Sequence, residues 1–305
     1  MSAFTVSVSP HIHTKKRTSN IMLDVIIALL PALVASVILF GIRALFLVGI
    51  SIITSVLAEL IFELFCKKEI YISDLSAVVT GLILAFNVPA TLPLWQMAVG
   101  SFFATFVVKM LFGGIGQNFA NPAATARIMM LLSFSSSMTD YAFPLDAVSA
   151  ATPLALMKSG VFHKLPSLSN LFLGLRGGCL GEGCIFALLI GALYLLIRRV
   201  ISWHTPVFFV LTVFVLSFVF GRPPLAEILS GGLVFGAVFM ATDYSSSPTK
   251  PKGKVIFSIG CGIITMIIRK FGNYAEGVSF AILFMNILTP YIEKLTPVKA
   301  LGGAK

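Results

Sequence analysis

The segment Asp146-Ala147-Val148-Ser149-Ala150-Ala151-Thr152-Pro153-Leu154 gathers hydroxyls among small residues, with one carboxylate and one proline beside them. Ser149 and Thr152 have no neighbouring base of the kind that activates a nucleophile, so bare chemistry does not make the segment catalytic. The plain reading is a small-residue turn. Yet the Thr152 hydroxyl is sterically open, and Asp146 offers a modifying enzyme something to grip. A second concentration runs from Gly113 to Ala123. There Gly114 and Gly116 permit close backbone approach, and Asn118 and Asn121 offer amide hydrogen bonds, to a ligand or within a tight packing turn.

Acidic residues in or beside apolar runs form a third group, because ionisable groups at membrane depth are expensive and functional by default. Asp24, Asp243 and Glu276 are candidates for an ion path; Asp243 and Glu276 could instead cap a helix amino terminus, which suits Glu276 better. Glu59 and Glu63, four apart on one helix face, are expected to be solvated at an interface. Cys66, Cys179, Cys184 and Cys261 lack zinc or iron–sulfur spacing, although Cys179 and Cys184 share a loop where a disulfide or shared metal stays open. His11, His13, His163 and His204 show no metal-ligand spacing either. No dinucleotide fingerprint follows a strand.

The elements that hold these residues must be membrane helices. Of 305 residues, 57% are hydrophobic and 11% charged, far from the roughly quarter-charged mix of soluble domains. At roughly 20 residues per crossing the chain holds about ten helices and one sizeable loop, with no room for a separate soluble domain. Apolar runs predict helices over 21–40, 44–65, 75–87, 94–111, 121–134, 183–197, 206–220, 225–242, 255–268 and 277–292. The third, fifth and ninth fall short of a full crossing, and broken helices at this depth need protein or a cavity around them. The first run follows a polar stretch and is long enough to span, so it is expected to stay as a helix rather than be cleaved.

The net charge of +10 does not indicate nucleic acid, because the Lys and Arg residues lie in short clusters between apolar runs. With the amino terminus inside, 15 of the 22, Lys109 and Arg127 among them, fall on the cytoplasmic side. That split places both termini in the cytoplasm and the polar loop 135–182 outside. The expected organisation is a cytoplasmic segment 1–20, a five-helix unit 21–134, the loop, a second five-helix unit 183–293 and a tail 294–305. An odd number of helices per unit turns any duplicate upside down. At an offset of 155 residues Gly81 meets Gly236, Pro93 meets Pro248, Asn118 meets Asn273, Ala126 meets Ala281 and Met130 meets Met285. Such inverted repeats place a binding site near their interface.

Ser149-Ala150-Ala151-Thr152 after Asp146 resembles the flavinylation motif of the RnfD / NqrB family, whose members belong to the Rnf complex and to the sodium-pumping NADH:quinone reductase. Ala150 stands where that motif often has glycine, a small departure. Ser9-Pro10-His11, Ile21-Met22-Leu23-Asp24-Val25, Ala28-Leu29-Leu30-Pro31-Ala32, Gly113 to Asn118 with Asn121-Pro122-Ala123, Ala241-Thr242-Asp243 and Glu276-Gly277-Val278 followed by Asn286 are similar too. The likeness runs from residue 9 to about 293, and the length suits the Rnf member of the family better than the longer quinone-reductase one.

The resemblance implies an all-α integral membrane fold of ten helices in two inverted five-helix repeats, like urea and ammonium transporters. It implies FMN bound covalently through a phosphoester at Thr152, with Asp146, Ser149, Ala151, Pro153 and Leu154 as motif. A noncovalent riboflavin is expected near Gly114, Gly116, Asn118 and Asn121. The implied activity is electron transfer in an ion-translocating ferredoxin:NAD+ oxidoreductase of the bacterial inner membrane, coupled to Na+ or H+. Partners would be the A, B, C, E and G members of the Rnf complex, a flavin transferase and membrane lipid, with the NAD and iron–sulfur sites on other chains of the assembly. Two other readings stay open: a transporter or channel for a small polar solute, and a purely structural assembly component.

Overall fold

The computed structural model describes residues 17–67, 72–142 and 151–297. Those residues are helical throughout their regular structure, with no named strand. The first unit comprises α1 (Thr18–Phe40), α2 (Ile42–Phe65), α3 (Ser76–Phe86), α4 (Leu94–Phe102, continued as a π-helix Phe103–Met110) and α5 (Pro122–Ser133). Short helices α6 (Ser135–Thr139), α7 (Pro153–Lys158) and α8 (Leu168–Leu173) follow. The second unit comprises α9 (Ile185–Ile197), α10 (His204–Val219), α11 (Pro224–Leu229), α12 (Leu233–Phe235, continued as a π-helix Gly236–Met240), α13 (Pro251–Phe271) and α14 (Val278–Leu295).

Capping chemistry sets several starts. Asp74 Oδ1 accepts from Ser76 N at 2.8 Å where α3 begins. Asn121 Oδ1 accepts from Ala124 N at 3.1 Å, with Pro122 at the first helical position of α5.

α1, α2 and α14 are long and apolar enough to cross a membrane. The outward faces carry the solvent argument. On α1, Leu23, Ile27, Leu30, Val34 and Ile38 are exposed at helical spacing; on α9, Phe186, Leu189, Ile190, Leu193 and Ile197; on α13, Ile256, Ile259, Ile263 and Ile267. Helices apolar all round belong in hydrocarbon, because continuous outward stripes of this size would not be tolerated in water. The chain is a membrane protein.

Two expected elements differ in the structure. The run 225–242 is broken into α11 and α12 at Ser230-Gly231-Gly232, where Gly231 takes φ +66, a left-handed conformation that other residues adopt only with strain. Side chains satisfy the freed backbone: Arg269 donates to Ser230 O at 3.2 Å, and Glu276 Oε1 accepts from Gly232 N at 2.8 Å. The ninth run is longer than its apolar part, because Lys252, Lys254, Arg269 and Lys270 also lie on α13. Arg269 is buried there against Glu227 at 2.8 Å, and Glu227 also meets Arg222 at 2.6 Å.

Loop contacts sort the bundle into two ends. At one, Thr18 of α1, Ser76, Asn118, Val200 and Asp243 surround a common cavity. At the other, Arg43 donates to Thr91 O at 2.9 Å, Leu180 N to Val88 O at 3.0 Å and Lys158 to Gly272 O at 2.5 Å. The described residues of the 135–182 segment therefore pack on the bundle end opposite the start of α1.

Candidate functional site: two cavities at opposite ends

Residues 143–150 lie outside the described residues, so the expected motif positions Asp146 and Ser149 have no described place. Thr152 follows directly. Its hydroxyl accepts from Ala155 N at 3.2 Å and caps α7, with Pro153 at the first helical position. Capping alone accounts for a threonine before a proline-led helix. The side chain is only half-buried, however, and lines a cavity of about 240 Å3 together with Ala151, Pro153 and Leu154. Leu154 packs with Met157, Leu171 and Ala226, which ties α7 to α8 and α11 and fixes Thr152 at the cavity.

Ile128, Leu131, Met138 and the stacked pair Tyr274 and Phe280, 5.5 Å apart, give the cavity its apolar lining. Arg127, Tyr141, Glu182, Glu276 and Ser279 give it a polar side. Arg127 extends from α5, ion-pairs with Glu276 and lies 3.9 Å from Glu182. It also donates to Asn87 Oδ1 at 3.3 Å, Ser279 Oγ at 3.1 Å and Cys179 Sγ at 3.5 Å. The Cys179 sulfur and one carboxylate oxygen each from Glu182 and Glu276 lie within 4.8 Å of one another. The guanidinium touches all three and supplies their positive charge.

The two carboxylates are held unequally. Burial works to raise Glu276, but the Arg127 guanidinium and the Gly232 N–H outweigh it and hold the group below the usual carboxylate range. Glu182 receives less: burial first, then the neighbouring Glu276, push it up to about 7 against Arg127 and Arg176.

Glu276 is thus the partner of Arg127, and its Oε1 accepts from Gly232 N at the start of α12 rather than capping its own helix. Arg127, expected among the cytoplasmic charges, is buried at the opposite end instead, because Glu276, Ser279 and Asn87 converge on it. Arg127, Tyr141 and Glu182 escape a reading of the sequence. The usable signal was an arginine inside the short apolar run 121–134.

The second cavity, about 330 Å3, lies at the end where α1 starts. Gly116, Asn118 and Asn121, singled out for a noncovalent flavin, line it beside Asp243, singled out for an ion path, together with Ser76, Lys109, Thr242, Tyr244 and Phe239. Gly114, with φ +97, shapes the turn without lining the cavity. Asn121 Nδ2 donates to Met240 O at 3.1 Å, where the second π-helix ends. Asn118 Oδ1 is buried with no hydrogen-bond partner among the described residues. Asp243 accepts from Ser245 at 3.0 Å and Ser246 at 2.8 Å, while burial keeps its carboxyl above the usual range.

Asp24 stands apart, bonded to Tyr194 at 2.8 Å and Arg198 at 3.3 Å between α1 and α9. The solvated reading of Glu59 and Glu63 is wrong. Both are buried, and Glu59 pairs with Lys109 at 2.5 Å while Lys109 also reaches Ser76. An ammonium buried at membrane depth requires such a partner. His11 and His13 lie outside the described residues.

The two cavities have different capacities. Small-molecule sites span about 300–1,000 Å3, and the second cavity reaches that range. The first is smaller. Thr152 lines this cavity, and among the described residues its hydroxyl oxygen serves as a cap acceptor.

Comparison with known proteins matches residues 5–302 to the model of the NQR2, RnfD, RnfE family. The D subunit of the Na+-translocating ferredoxin:NAD+ oxidoreductase complex of Acetobacterium woodii is 50% identical, over 99% of this chain and 96% of the relative. The D subunit of the proton-translocating ferredoxin:NAD+ oxidoreductase complex of Clostridium ljungdahlii is 40% identical, over 97% and 96%. The D subunit of the ion-translocating oxidoreductase complex of Aliivibrio salmonicida is 33% identical, over 99% of both chains. With a family model covering nearly its whole length and relatives aligned end to end, the chain belongs to the NQR2, RnfD, RnfE family.

Proposed function

We propose that this chain is the RnfD-type component of an ion-translocating ferredoxin:NAD+ oxidoreductase, carrying electrons through FMN esterified to Thr152. One observation carries the reading: Thr152 lines a cavity that combines apolar and aromatic walls with the buried Arg127–Glu276 pair. FMN bound there supplies reversible one-electron chemistry, while the protein positions it and sets its electrostatics. α7 and its small core hold Thr152 in place, Tyr274 and Phe280 give flat apolar surface, and Arg127 offers positive charge at a polar edge.

The second cavity is the place for a noncovalent flavin, which we take to be riboflavin. Asn118, Asn121 and Asp243 supply its polar contacts, and the aliphatic residues of α1, α3 and α9 its apolar ones. A flavin at each end of the bundle gives an electron two stations within one chain.

Two inverted five-helix repeats fit this arrangement. In one unit a side chain at Gly100 would collide with the Met130 sulfur of α5; in the other, one at Gly260 would collide with Met285 of α14. Met130 and Met285 are partners at the 155-residue offset. Both termini then lie in the cytoplasm of a bacterium and the 135–182 loop outside the inner membrane, within reach of a flavin transferase. The A, B, C, E and G members of the Rnf complex are the expected neighbours. The relatives differ in their coupling ion, sodium in one and proton in another, so likeness selects neither.

In-gel flavin fluorescence of the denatured chain from its native membrane, followed by peptide mass mapping of 135–182, tests the reading. An FMN-phosphate mass on Thr152, lost in Thr152→Ala, is the expected result. An unmodified peptide would shift the function to solute transport, which two cavities at opposite ends of such a bundle also fit.

A further inference from the structure

Four elements bring charge to the Thr152 cavity, and their balance is uneven. Arg127 comes from α5, Glu276 from the turn before α14, Tyr141 from the segment after α6, and Cys179, Glu182 and Arg176 from the turn before α9. Glu276 holds the direct contact with Arg127 and a backbone N–H from Gly232. Glu182 has Arg127 at the longer distance of 3.9 Å and a hydrogen bond from the neutral Cys179 thiol, which brings no positive charge. Arg176 sits behind it, but its Nη2 is directed to the Glu182 main-chain oxygen at 3.0 Å rather than to the carboxylate. Arg269 of α13 is committed to Glu227 and Ser230. Glu182 is therefore the under-compensated carboxylate of a buried site.

Adding a negative charge beside such a group in low dielectric is costly, and protonating the nearest weakly held carboxylate cancels it. We propose that Glu182 is a proton-coupling residue, binding one proton as one electron is added to the flavin that the Thr152 cavity serves. This rests on the reading that Thr152 carries FMN. The balance is one electron from a one-electron donor, an iron–sulfur or flavin centre of a neighbouring chain in the complex, and one proton from water. The donor loses the electron, the flavin gains it, the Glu182 carboxylate becomes a carboxylic acid, and the charge of the cavity is unchanged. Reoxidation reverses both. A carboxyl poised at about 7 exchanges its proton near neutral pH.

The test uses the full flavinylated chain purified in detergent, titrated by potential at several pH values and followed by redox-difference infrared spectroscopy. In the wild type, reduction produces a protonated-carboxyl band, and the flavin potential shows a break in its pH dependence near neutrality. Glu182→Gln keeps the fluorescent covalent flavin but loses both the band and the break. Glu276→Gln keeps them and moves the break to lower pH, because it removes the negative charge beside Glu182; this variant also serves if Glu182→Gln does not fold. A band and break that survive unchanged in Glu182→Gln, or a break that Glu276→Gln leaves in place, overturn the inference alone. A wild-type chain with no flavin on Thr152 overturns the function reading, and this inference with it.

Discussion

Thr152 carries two loads at one oxygen, a cap for α7 and the proposed ester, and substitution separates them. Thr152→Ala loses covalent flavin and about 1 kcal/mol of local stability. Thr152→Ser restores the cap, so flavin loss with unchanged melting in the serine variant would assign the ester to threonine specifically. Glu182 makes a second prediction, with a definite sign. Its folded value of about 7 lies above the ordinary 4.5, so the folded chain binds more protons between those values. Stability from this group is full below pH 4.5 and is lost as pH rises through 7. Glu182→Gln should therefore melt higher than wild type at pH 8, by on the order of 1–3 kcal/mol. At pH 4.5 the two should melt together. A variant equally displaced at both values would contradict the assignment.

Helix breaks build both cavities. Three residues separate α11 from α12 because Gly231 turns left-handed and Arg269 and Glu276 satisfy what the break exposes. A side chain at Gly231 would also stand 2.5 Å from Leu154 Cδ1, in the core that seats α7. Gly231→Ala should cost at least about 1–2 kcal/mol from the backbone alone and loosen α7 with it. Thermal melting in detergent reads the first effect, and faster protease cleavage between residues 152 and 165 reads the second. The run 225–242 reads as one continuous apolar helix because its break is spelled by a single Ser-Gly-Gly. Such a triplet passes for helix until charged partners elsewhere in the chain are known to meet it.

Across the bundle, the ends are chemically distinct: Thr152 with Arg127 and Glu276 at one, Asn118, Asn121 and Asp243 with Lys109 at the other. If the chain spans as proposed, these ends face different compartments. In intact cells a membrane-impermeant maleimide should label Ser159→Cys, which is exposed near Thr152, and spare Cys66, exposed at the far end of α2. Labelling of Cys66 alone would invert the topology and put Thr152 out of reach of an external flavin transferase.

Local rules were enough for much of this molecule. Apolar runs placed α1, α2, α9, α10 and α14, and a proline or asparagine marked the start of α5. Small residues around Thr152, together with the family likeness, singled out that hydroxyl. These features depend on a residue and its near neighbours, which the chain spells directly. Pairing across the chain does not. Arg127 meets Glu276 over 149 residues, and Lys109 meets Glu59 over 50. Both basic residues looked like topology signals, and Glu59 and Glu63 looked solvated, because a charge in an apolar run reads as exposed until its partner is found. The cost of burying an unpaired charge forces such partners together, but which helices bring them there is fixed only when the bundle packs.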